Sequence, residues 1–417
     1  MGEEIESMAR LAEIPEEKQR NYMRWKKNSK LLYDYLNTNT NKWPSLTCQI
    51  FPDLDTSIDE HRVLLSSFTS SQFPEDESMY VARFSTLGHL KWSSLSNFDI
   101  EDMEFKMDNG VELPHKGLST DVQVKYPAGD CNRARYCPSN PDLIATASSA
   151  GALYIFDRTK HSSSRSKLLA DNEAKYEIEC QLPVPVEDSE REATSVAWNW
   201  QRQGSLASSY SSGDVAVWDL MKYSKSNTTI SEPQFTAKTD SAGCNDLAWM
   251  VNHDALLACC GESNVLGLID IRDPLKHRLS KTEHHDSGIN ACQFNPNNDM
   301  LLSSADSAGR INFWDIRDFT KPIRTIYHED AVSSLQWNHN LPTVIASAGQ
   351  TLGTVKLWDM SAPTDDALIF THCGHMLGVN DISWDLHDPW LMCSVSNDNS
   401  IHLWRPAATI VGSNETV

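Results

Sequence analysis

The sequence predicts an all-β fold, a seven-bladed β-propeller with an N-terminal α-helix packed on its side. Three features predict it: a repeat of near-constant period, two anchors that recur in phase within each unit, and a non-β amphipathic segment ahead of the first unit. Each unit ends in a β-rich run closed by an apolar residue and Asp: Tyr154-Ile155-Phe156-Asp157, Val217-Trp218-Asp219, Leu268-Ile269-Asp270, Phe313-Trp314-Asp315 and Leu357-Trp358-Asp359. A sixth end, His402-Leu403-Trp404-Arg405, lacks the Asp. From Trp218 onward the steps are 51, 45, 44 and 46 residues. The step from Phe156 to Trp218 is 62, and its excess lies in a polar insert, Lys160 to Glu190.

The second anchor reads Val196-Ala197-Trp198, Leu247-Ala248-Trp249, Cys292-Gln293-Phe294, Leu335-Gln336-Trp337 and Ile382-Ser383-Trp384. Between anchors lies a strand of small residues, such as Ala145 to Ser149 or Leu301 to Ala305, which lets neighbouring blades approach closely. Turn residues divide each unit into four short strands. A period near 40–45 residues with a Trp-Asp end is the WD40 signature. Six units are visible. The stretch Trp43 to Tyr126 adds the runs Ser45 to Phe51, Arg62 to Phe68, Met79 to Phe84 and Asp121 to Tyr126. These are read as about one blade plus one spare strand, which would complete the last blade. Closing the ring removes exposed sheet edges.

Ahead of the ring, Pro15 to Asn37 shows little β character. Tyr22, Trp25, Leu32, Tyr35 and Leu36 recur at three- and four-residue steps among lysines and arginines, the pattern of an amphipathic helix. Pro44 ends any helical run. The expected division is therefore a helical segment, 1–42, and a propeller, 43–417.

Composition narrows the function. The 417 residues hold 36 Lys and Arg against 57 Asp and Glu, a net charge of −21. Such a surface repels nucleic-acid phosphates and attracts basic partners. No apolar run is long enough to span a membrane, and Met1 to Arg10 lacks the form of a signal peptide. The 10 cysteines form no CxxC pair, as expected of reduced thiols.

Catalytic chemistry is not apparent. The sequence has no HExxH, no Gly-rich phosphate loop before a helix and no Gly-x-Ser-x-Gly elbow, so a non-enzyme with no cofactor is expected. His372 and His375 invite a metal reading, but spacing favours a structural one. His375, His285 and His328 fall 29, 29 and 30 residues before Trp404, Trp314 and Trp358. That is where such a unit carries a histidine bonded inside its own blade, and Asp398 is the expected partner of His375. No metal site is assigned.

Longer strings carry a closer likeness. Trp25-Lys26-Lys27-Asn28, Leu32-Tyr33-Asp34, Trp43-Pro44-Ser45-Leu46-Thr47, Cys131-Asn132-Arg133-Ala134-Arg135-Tyr136 and Pro389 to Ser396 resemble the retinoblastoma-binding, histone-binding WD40 family. Leu32 to Asn37 and Asn380 to Asp385 look most like its branch of fungal chromatin assembly factor 1 small subunits. The resemblance implies a side pocket for the first helix of histone H4. Its matching residues are Leu31, Leu32 and Tyr35 on the helix, Asp365 and Asp366 in an insert loop, then Ile369 and Phe370, with Ile410 closing the pocket. The loop Pro363-Thr364-Asp365-Asp366 is short and has one proline where relatives have two. A basic amphipathic helix needs an apolar slot and carboxylates for its arginines, which fits these residue types.

The resemblance also implies a top-face site for a basic peptide such as the H3 tail. Asp130, Asn132 and Glu192 match it, but Asn245, Ala331 and Asn397 stand where relatives carry glutamate, so weak or absent H3-tail binding is expected. The implied role is a nuclear histone chaperone subunit that binds H4 in H3–H4 and works with larger chromatin assembly factor subunits in replication-coupled nucleosome assembly. The alternatives are a non-catalytic subunit of a histone acetyltransferase complex, or a WD40 adaptor with no histone role, which the repeats alone would allow.

Overall fold

Alternating small and large β-formers, cut by turns, fold locally into four-stranded antiparallel blades. The computed structural model describes residues 14–52, 60–86, 98–99, 104–105, 117–161, 176–183, 191–224, 228–273, 278–281 and 284–412. Seven blade sheets follow one another along the chain. Most of the insert Lys160 to Glu190 lies outside the described residues. Among the described residues no helix is long and apolar enough to cross a membrane. The second blade gains a fifth strand, Thr229–Ile230, which pairs in parallel with Ile178–Gln181.

The first blade joins Cys48–Ile50, Glu60–Ser66, Ser78–Ser85 and Ser119–Lys125. All four strand-like runs of Trp43 to Tyr126 belong to it, so none is spare. The last blade takes three strands from the C-terminal region and its fourth from β1, Tyr33–Thr40. β1 runs antiparallel to Ser400–Pro406 with Leu36 opposite Trp404.

This corrects the helix reading of Pro15 to Asn37. Helix α1 spans Glu16–Leu32 and stops there. Beyond Leu32 come Tyr33, Tyr35, Thr38 and Thr40, residues that favour a pleated surface. Apolar spacing through Leu32, Tyr35 and Leu36 also suits a strand buried on both sides. A register shift between Tyr33 and Tyr35 sends Tyr33 into the cluster shared with the sixth blade and Tyr35 into the one shared with the first.

Polar side chains fasten blade to blade. The same inner-strand position donates to the next blade's backbone around the ring: Asn132 to Ala193 O (2.9 Å), Thr194 to Cys244 O (2.7 Å), Asn245 to Ile289 O (3.0 Å), Asn290 to Val332 O (2.9 Å), Ser333 to Val379 O (2.5 Å) and Asn380 to Ser45 O (2.9 Å). The corresponding residue of the first blade is Leu46, which has no donor to give.

Inside the channel, the fully buried Asp381 of the last blade accepts from Arg133 (3.0 Å) and from Ser334 (3.1 Å), and pairs with Arg135 at 2.9 Å. It also accepts from Cys48 N (3.0 Å), so one carboxylate joins four blades. Both guanidinium groups hold its pKa below the ordinary carboxylate value despite burial.

Candidate functional site

Helix α1 docks through its buried Trp25 and Ser29. Trp25 Nε1 donates to Tyr33 Oη at 2.7 Å, Tyr33 Oη lies 2.7 Å from His372 Nδ1, and His372 Nε2 lies 3.0 Å from His402 Nδ1. Burial pushes the pKa of both histidines well below the ordinary value, so both rings are neutral. With the Trp25 proton on its oxygen, Tyr33 gives its own proton to His372 Nδ1, and His372 keeps one on Nε2 for His402. Trp25 stacks parallel to His402 with centroids 6.0 Å apart. At the other end of α1, Lys18 Nζ donates to Thr351 O at 2.6 Å.

His372, His375 and His402 form a buried group close enough to share a metal ion. His402 was not singled out by spacing, although it sits two residues before the Trp404 anchor. The contacts of these rings are internal hydrogen bonds. His375 lies 2.7 Å from Ser394 Oγ and 2.6 Å from Ser400 Oγ. Asp398 is 3.9 Å away, and Ser400 bridges the two by donating to Asp398. The expected direct His375–Asp398 bond is therefore replaced by a relay through Ser400. The same arrangement recurs at His285, Ser304 and Trp314 and at His328, Ser347 and Trp358, where both His and Trp reach one serine hydroxyl. In the third blade Trp218 donates to Ser208, and Tyr210 takes the place of the histidine.

Three elements meet beside this anchor: the end of α1, the strand Leu368–His372, and the short tail helix α2, Ala408–Val411. Ala407 N donates to Leu32 O at 2.8 Å, and Ala408 N to Asp34 Oδ2 at 2.8 Å. Helix α2 packs against the strand. Apolar side chains stay open to solvent here: Leu31 is 66% exposed, Leu368 44% and Ile410 38%. Leu32 and Ile369 are half-buried. Asp365 and Asp366 are exposed in a 3-10 turn, Thr364–Asp366, and neither carboxylate has a described partner.

Two of the expected residues are turned inward. Tyr35 is 1% exposed and donates to Ser85 O at 2.9 Å, so it closes the ring and presents no binding surface. Phe370 is buried against Tyr33 and Trp404, with centroids 5.4 and 5.7 Å away, and forms the floor under the open residues. Leu368 was missed. A register shift opposite Leu357 and Trp358 breaks the strict alternation that would have buried it with Phe370.

The opposite face is built differently from the expected acidic ring. Asp130 is buried, and its two oxygens accept from Ser71 N and Ser71 Oγ, both at 2.9 Å. Asn132 belongs to the inter-blade belt, so both are structural. Only Glu192 of the three remains exposed. Glu77 lies beside Asp130, and burial followed by that neighbouring carboxylate pushes its pKa up to about 8.

A slot beside a helix-capped WD40 ring can be compared with known proteins. A family model for the histone-binding protein RBBP4 and its counterpart in the CAF1 complex matches residues 20–88, which include α1 and β1. The WD domain, G-beta repeat model matches 276–315, 320–359 and 367–405, the three units that hold the His, Ser and Trp sets. The histone-binding protein MSI1 of Saccharomyces cerevisiae is 54% identical over 411 residues, covering 96% of each chain.

The chain belongs to the histone-binding WD40 family.

A second relative, the histone acetyltransferase type B subunit 2 of Mycosarcoma maydis, is 33% identical over 408 residues, covering 94% of this chain and 92% of the relative. Both likenesses run the length of the histone-binding WD40 fold, from α1 through the last blade. Both relatives are named for a binding or subunit role rather than for a catalytic activity.

Proposed function

We propose that this chain is a non-catalytic, nuclear histone chaperone subunit. It grips the first helix of histone H4 in the slot between α1, the Leu368 strand and α2, and serves larger chromatin assembly subunits in nucleosome assembly. The observation that carries this reading is the pairing of open apolar side chains, Leu31, Leu368 and Ile410, with the exposed carboxylates Asp365 and Asp366. An amphipathic basic helix lays its apolar face on the first set and its arginines against the second. The net charge of −21 draws basic partners toward the whole molecule. A helix sequestered in this way is withdrawn from other contacts, so the protein handles histones off DNA.

The type B acetyltransferase relative supports a second reading, in which the same slot presents free H4 to a catalytic subunit. Mixing the purified chain with H3–H4 at moderate salt tests the shared premise, and a lack of complex formation contradicts both readings. Mass spectrometry of the native assembly separates them by whether an assembly-factor subunit or an acetyltransferase accompanies the chain.

A further inference from the structure

We infer that the outward face of α1 is a docking surface for an acidic protein segment carrying interspersed apolar residues. The buried face of α1 is set by Trp25 and Ser29. At 100° per residue, the direction opposite to these is occupied by Arg20, Met23, Arg24 and Lys27, the i, i+3, i+4, i+7 stripe of a helix contact. All four are exposed, Met23 by 50%, and the exposed Lys30 extends the stripe.

Two observations separate this face from an ordinary solvated one. The first is charge. The chain carries −21, and elsewhere many surface cations are matched within it, as Arg272 is by Asp270, Arg310 by Asp286, Arg317 by Asp315 and Lys356 by Glu329. Among the described ion pairs none involves Arg20, Arg24, Lys27 or Lys30, so four cations in register face outward on an acidic protein. The second is Met23, a flexible apolar side chain at the centre of the cations. A phosphate backbone has no use for it, and the acidic bulk of the protein opposes DNA. An acidic peptide with apolar residues uses both features.

The partner chemistry is the reverse of a histone's. This surface therefore serves a different partner from the slot, and a segment bound here and a histone bound there can be held together. The geometry does not depend on the histone reading.

The test uses the full chain and three labelled probes in fluorescence anisotropy: a synthetic glutamate-rich peptide as long as α1 with leucines at helical spacing, the same peptide with the leucines replaced by serine, and a short DNA duplex. The leucine-containing peptide is expected to bind best. Arg20→Glu with Arg24→Glu and Lys27→Glu is expected to weaken it by about tenfold or more. Met23→Ser is expected to erase the preference for leucine. These exposed side chains have no described partners in the fold, so thermal unfolding and circular dichroism should stay unchanged and show that the variants fold. Failure of the wild type to bind the leucine peptide, equal binding by the charge-reversed chain, or tighter binding of DNA than of either peptide overturns the proposal.

Discussion

A Cβ placed on Gly374 would stand 2.7 Å from Cζ2 of Trp25 and 2.8 Å from its Cη2. Gly374 is therefore the bed on which the helix anchor lies. The same Cβ would meet His402 Nδ1 at 2.8 Å, so the last blade cannot yield without disturbing the Trp25–Tyr33–His372–His402 chain. Gly374→Ala is expected to lift Trp25 from the blade and cost about 1–3 kcal/mol, the usual penalty for overpacking. Urea unfolding reads the stability. Because α1 forms one wall of the slot, H4 affinity should fall in the same variant.

Asp381 joins four blades through one carboxylate. Asp381→Ala leaves Arg133 and Arg135 buried without their counter-charge and is expected to cost about 3–5 kcal/mol. Asp381→Asn keeps the shape and some hydrogen bonds and should cost less. A chemical denaturation series in which both variants match the wild type would show that the ring does not depend on this link.

Acid should weaken the fold through its neutral buried histidines. Burial, then Lys356, lowers the His328 pKa to about 4, below the ordinary 6.5. A depressed histidine pKa gives stability that is complete above 6.5 and is lost as pH falls toward the folded value. Between pH 7 and pH 5, His328 alone should account for about 2 kcal/mol of lost stability. His328→Gln should show a shallower fall of the urea midpoint over that range.

Glu77 acts with the opposite sign. Its folded pKa of about 8 lies above the ordinary 4.5, so the stability it supplies in acid is lost as pH rises between those values. Glu77→Gln can still accept from Thr69 N and needs no proton. Relative to the wild type it should gain about 1–3 kcal/mol between pH 5 and pH 8. A constant difference across that range would mean that Glu77 does not titrate there.

The repeat was readable because its anchors are large side chains at fixed spacing, and the His and Trp of three blades meet on one serine as that spacing implied. What was not readable was the join. Tyr33 to Thr40 carries an apolar spacing that serves a helix or a two-sided strand, and only pairing with Ser400–Pro406 decides between them. The site was legible to the extent that exposed positions matched a family pattern: Leu31, Asp365, Asp366 and Ile410 are open, as expected. Tyr35 and Asp130 are not, since burial follows from partners far away in sequence, Ser85 and Ser71. Leu368 is open because a register shift interrupts alternation, and no residue type announces such a shift.

The central claim is that the slot holds H4 by pairing its carboxylates with a basic helix. Calorimetric titration of an H4 first-helix peptide into the wild type and into Asp365→Ala with Asp366→Ala tests it most directly. Loss of about 1.5–3 kcal/mol for each charged hydrogen bond removed, with unchanged thermal unfolding, is the predicted result. Equal affinity of the two proteins for the peptide would contradict it.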